Sequence, residues 1–111
     1  MRIVLALATL ALLALCGCGT ACDREAAALK GAAQKASSCG GSSTSNFDTN
    51  KCNDNLHTCS SDDMAAINNF SACLEGLPNC TSDTQTSWSL SRLGCTTDLG
   101  KASLSCLNAT Q

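Results

Sequence analysis

The sequence predicts an all-α fold, a small disulfide-stapled bundle of four to five short helices, on three observations. Strand formers nearly vanish after residue 18, where there is no Val, no Tyr and a single Ile, Ile67, while Ala, Leu and polar helix-tolerant residues dominate. Ten of the 111 residues are cysteine, the composition of a disulfide scaffold in one small domain. The pattern Cys-hydroxyl-hydroxyl-Asp occurs as Cys59-Ser60-Ser61-Asp62, Cys80-Thr81-Ser82-Asp83 and Cys95-Thr96-Thr97-Asp98. Each reads as a helix start, because a hydroxyl accepts from orphan backbone N–H groups and an acid meets the positive end of the helix dipole.

The elements follow in order. Asp23 to Ser38 has acids in its first turn, bases later and Gly40-Gly41 as a stop, and its apolar face is mostly alanine plus Leu29. Ser42 to Asn46 reads as a loop. Asp48 to Thr58 sets Cys52, Leu56 and Cys59 on one helical stripe. The third helix follows Cys59 and runs to about Glu75, with Met64, Ile67, Phe70, Cys73 and Leu74 inward and Gly76 and Pro78 ending it. The fourth carries Trp88 and is expected to end near Leu93, with Gly94 as a left-handed cap. The fifth is expected from Thr97 to about Leu107, burying Leu99, Ala102 and Cys106.

Residues 1–17 read as an export signal: Arg2, an apolar run from Ile3 to Leu15, then small residues. Thirteen apolar residues make about 20 Å of helix, short of the roughly 30 Å hydrocarbon core. Leu15-Cys16-Gly17-Cys18 resembles the bacterial lipobox, with Cys16 a mild departure at the variable position. The resemblance implies that Cys18 receives a diacylglyceryl group, becomes the first residue of the mature chain and anchors it to a membrane. Residues 18–21 are then a tether and residues 22–111 the cysteine-rich domain. Gly19 in place of an aspartate implies outer-membrane delivery under the enterobacterial sorting rule. A competing cut after Gly19-Thr20-Ala21 would give a soluble secreted chain beginning at Cys22.

Beyond the lipobox, the chain is similar in type to the short cysteine-rich lipoproteins of bacteria. Plant lipid-transfer proteins share its size and eight cysteines, but their adjacent Cys-Cys pair and Cys-x-Cys are absent from residues 22–111.

Either cut leaves Cys22, Cys39, Cys52, Cys59, Cys73, Cys80, Cys95 and Cys106, an even set in an oxidising compartment, which predicts four disulfides. The staples are needed: after residue 18 only fourteen large apolar side chains are present, and each bridge contributes about 2–4 kcal/mol. Cysteines flanking or lying along one helix are too far apart to bond. This excludes Cys22–Cys39, Cys52–Cys59, Cys59–Cys73, Cys80–Cys95 and Cys95–Cys106. Cys39 with Cys52 across the Ser/Thr loop is the favoured pairing, and Cys73 with Cys80 is open.

Zinc sites use close ligand pairs, and past Cys22 no two cysteines lie closer than seven positions. No metal or other cofactor is therefore expected. Six Lys or Arg scattered after residue 20 in a chain of net charge −2 argue against a nucleic-acid partner. His57 is the only histidine, with Asp54 three residues before it, and no hydrolase elbow, phosphate loop or metalloprotease motif accompanies it. Asp62 and Asp63 are accounted for by the helix dipole. The expectation is a non-enzymatic envelope or surface protein acting through protein contacts or as a structural component. The alternative is a small secreted carrier of an apolar ligand held between helices near Trp88 and Phe70.

Overall fold

The computed structural model describes residues 19–41 and 45–111. The export signal, Cys16, the lipobox cysteine Cys18 and residues 42–44 of the expected loop lie outside the described residues. Among the described residues there are five α-helices and one 3₁₀ turn: α1 Ala21–Ser37, α2 Thr49–Asn55 continued by the turn Leu56–Thr58, α3 Ser61–Glu75, α4 Gln85–Leu99 and α5 Leu104–Thr110. Among the described residues there is no strand, and no helix is long and apolar enough to cross a membrane.

Helix α3 is the centre of the bundle, packing on α1 and on α4, while α2 joins α1 to α5. Small residues decide the α1–α3 approach. Ala28 and Ala32 are buried on α1, and the space they leave is filled by Phe70 and Leu74 of α3, with Leu77 and Trp88 completing the cluster. At the far end of α1 the chain turns back through Gly40, the one described residue with positive φ (83°). A Cβ on the next residue, Gly41, would lie 2.8 Å from that of Ala36, so only glycine lets the loop close onto the helix. The exposed carboxylate of Glu75 pairs with Arg24 at 2.9 Å, and the Glu75 carbonyl accepts from Lys35 Nζ, fastening the end of α3 to α1.

Among the described residues four disulfides join different elements: Cys22–Cys52, Cys39–Cys80, Cys59–Cys106 and Cys73–Cys95, with Cα separations of 5.8, 5.7, 4.8 and 5.5 Å. None of the five pairings excluded on helical geometry occurs. The favoured pairing Cys39–Cys52 is overturned, and Cys73–Cys80 does not form. The reason is where α2 docks. Asn53 donates to Asp23 and accepts from Thr20, so α2 lies against the start of α1 and delivers Cys52 to Cys22. Cys39 sits past the other end of α1, about 25 Å away along the helix axis, where Cys80 donates its N–H to the Lys35 carbonyl.

The partition of the last two helices also departs from expectation. Helix α4 begins at Gln85 rather than just after Thr81, and it runs through Gly94 to Leu99. Gly94 lacks the left-handed conformation of a terminator. The Thr96 hydroxyl, expected to cap a new helix, bonds back to the Leu93 carbonyl at 2.6 Å, a pattern available inside a continuous helix. The break falls at residues 100–103, where Ser103 accepts from the Cys106 N–H and starts α5. Ala102 and Cys106 are buried as expected, and Leu99 is half-buried.

Candidate functional site

Helices α1 and α4 both pack on α3, and residues of both line a cleft of about 490 Å³. Ala33 and Ala36 line it from α1, Trp88, Arg92 and Leu93 from α4 together with the polar Gln85, Ser89 and Thr96, and Cys39, bonded to Cys80, lies in the same lining. The width follows from the sequence, because alanines on α1 face a tryptophan on α4. Trp88 is held in place: its indole N–H donates to the Pro78 carbonyl at 2.6 Å, and the residue is 5 % exposed. Leu93 is 64 % exposed beside it. Of the two aromatics assigned to a ligand pocket in the sequence, Trp88 lines the cleft. Phe70 does not; it is buried beneath, in the core against α1.

Two buried carboxyls lie elsewhere, and the sequence revealed only half of one. Asp63 completes a capping box with Ser60 and also accepts from the Ser103 N–H and hydroxyl. Those hydrogen bonds, the backbone ones first, pull its pKa down to about 2. Asp62, its neighbour, is exposed, so the two form no carboxylate pair directed at a common ligand. Glu25 is the second of them. It is fully buried, Oε1 has no partner, and Oε2 accepts only from Gln111 Nε2 at 3.3 Å. Burial therefore pushes its pKa up to about 7, partly offset by the Gln111 bond. The available signal was its register, for Glu25 falls on the Cys22, Ala28, Ala32 stripe that faces inward.

A third polar cluster stands at the start of α1. The Thr20 hydroxyl accepts from the Asp23 N–H while the Asp23 carboxylate accepts from the Thr20 N–H, a reciprocal capping box. Asn53 reaches both residues from α2, and its bond to Asp23 is the leading cause holding that carboxyl below its ordinary range. Thr20 and Ala21, expected to be tether, are thus the N-cap and first residue of α1.

His57 and Asp54 are both exposed, His57 in the 3₁₀ turn, and among the described residues no side chain hydrogen-bonds to either. Cys59, Asp63 and Cys106 bring two sulfurs and a carboxylate within 4.8 Å of one another. The sulfurs are bonded to each other, so neither is a thiolate that could ligate a metal ion. Comparison of the chain with protein families, with curated proteins and with solved structures returns no match.

Proposed function

We propose that this chain is a non-enzymatic, exported protein held at a bacterial membrane, the outer membrane by preference, through acylated Cys18. It acts through protein contacts or as a structural component of the envelope. The observation that carries the reading is the Thr20–Asp23 capping box tied to Asn53. A cut before Cys18 leaves that network whole and puts the lipid two residues from the first capped helix. A cut after Ala21 removes the cap, worth about 1 kcal/mol, and sets the new ammonium group of Cys22 at the positive end of α1. Four disulfides in a chain this poor in large apolar side chains support the oxidising compartment that export supplies. Two or more acyl chains make a stable anchor. Cells fed radioactive palmitate should label the wild-type protein and leave Cys18→Ser unlabelled at precursor mass; equal label in both removes the anchor.

The cleft between α1 and α4 favours a second reading, compatible with the first, in which the domain carries an apolar ligand. Its support is an opening of the size that small-molecule sites occupy, in which Ala33, Ala36, Leu93 and the single tryptophan supply apolar surface beside the polar Gln85, Ser89, Arg92 and Thr96.

A further inference from the structure

We propose that the cleft between α1 and α4 binds a single-chain amphiphile with one negatively charged headgroup, the chain lying along Ala33, Ala36, Trp88 and Leu93 and the headgroup meeting Arg92. The inference rests on the carrier reading and adds the ligand's chemical class.

Three observations converge on it. The first is apolar surface left uncovered within a partly polar lining, in a molecule that has few large side chains to spend. Trp88 and Phe70 are buried, yet Leu93, one turn and a half along α4 from Trp88, remains 64 % exposed at the mouth of the cleft. A chain laid against Leu93 and Trp88 would remove that surface from water.

The second is the state of Arg92. Among the described residues it is the only charged one lining the cleft. Most other cations beyond the signal are engaged: Arg24 pairs with Glu75, Lys101 with Asp98, Lys35 with the Glu75 carbonyl and Lys51 with the Gln111 carbonyl. Among the described residues Arg92 makes no ion pair and no hydrogen bond. Its planar, permanently charged guanidinium suits bidentate bonding to a carboxylate or phosphate. In a chain of net charge −2, a free arginine set beside that apolar surface selects for an anionic head on an apolar tail.

The third is rigidity. Cys39, in the lining, is bonded to Cys80, and Cys73–Cys95 fixes α4 to α3, so the walls are held by covalent links and binding requires little ordering.

The test uses the full mature chain, oxidised, carrying Cys18→Ser and exported behind a signal without a lipobox, so that no attached acyl chain competes. Trp88, the only tryptophan, reports binding by its emission. Oleate, oleyl alcohol and oleylamine share one chain and differ in the head. Oleate should bind about tenfold more tightly than oleyl alcohol, the preference expected of one charge-assisted contact, and oleylamine should bind weakest. Arg92→Gln should bring oleate to the level of the alcohol, and Ala33→Phe should block both ligands while circular dichroism stays unchanged. If Ala33→Phe fails to fold, Leu93→Gln serves in its place and should weaken oleate and oleyl alcohol alike. Equal binding of oleate and oleyl alcohol, or an Arg92→Gln variant that still prefers oleate, overturns the anionic assignment and leaves the carrier reading standing. No emission change with any of the three overturns both, as does binding that neither cleft variant alters.

Discussion

The Asp63 carboxylate accepts hydrogen bonds from both the backbone N–H and the hydroxyl of Ser103, at 2.8 and 2.9 Å, across forty positions of the chain. Because Asp63 also closes the capping box with Ser60, one side chain holds the start of α3 and the start of α5 together. The bridge Cys59–Cys106 spans the same junction covalently. An ordinary helix-cap acid has become the polar fastener between two elements.

Its protonation should therefore be destabilising. The folded pKa of about 2 lies below the ordinary 3.8, so the unfolded chain takes up the proton first. The stabilisation is complete above pH 3.8 and is lost as pH falls through 2. Urea midpoints measured between pH 2 and pH 5 should fall toward the acid end in the wild type, and Asp63→Asn should flatten that limb while lowering the midpoint at pH 5.

Glu25 predicts the opposite slope. Its folded pKa of about 7 exceeds the ordinary 4.5, so between those values the folded protein keeps a proton that the unfolded chain has released. Stability is greatest below pH 4.5, declines as pH rises to 7 and then levels, about 3 kcal/mol lower at most. Glu25→Gln should remove this decline and raise the urea midpoint at pH 8, with little effect at pH 4. A wild-type stability that is flat from pH 4.5 to 8 contradicts the burial of this carboxyl.

Ser60→Ala removes only the hydroxyl end of the α3 capping box and should cost about 1 kcal/mol. Ser61→Ala, a change at the exposed neighbour, should leave the urea midpoint within about 0.5 kcal/mol of wild type.

The bridges carry most of the rigidity. Closing loops of 22 to 47 residues, each contributes about 3–4 kcal/mol by the chain-entropy relation. Replacing Cys39 and Cys80 together by alanine should lower stability by about that amount and leave a folded protein. Full reduction should abolish the cooperative unfolding transition followed by circular dichroism.

The sequence made the helical class legible because strand formers were missing, and it made α1 and α3 legible because their termini carry local signals. Ser60 caps where a Ser-Ser-Asp start should, and Gly40 and Gly41 stop α1. The same local chemistry misled at Cys95-Thr96-Thr97-Asp98, because a threonine hydroxyl can bond backward to the Leu93 carbonyl as well as forward to an N–H. Here the backward bond is made and the helix runs on to Leu99. Pairing was legible only as exclusions. Helical rise forbids a bridge along one helix, but what brings Cys52 to Cys22 is the Asn53 contact with Thr20 and Asp23, a tertiary event without local trace. Trp88 was legible as a pocket residue, whereas Arg92 and Ala33 came into view only when α1 and α4 were set side by side.

The most direct test of an exported, oxidised and lipid-tethered domain is the intact mass of the mature protein before and after reduction. A chain beginning at Cys18, heavier by its acyl groups and lighter by eight hydrogens before reduction, is the predicted result. An unmodified chain beginning at Cys22, or one whose mass does not rise on reduction, would contradict it.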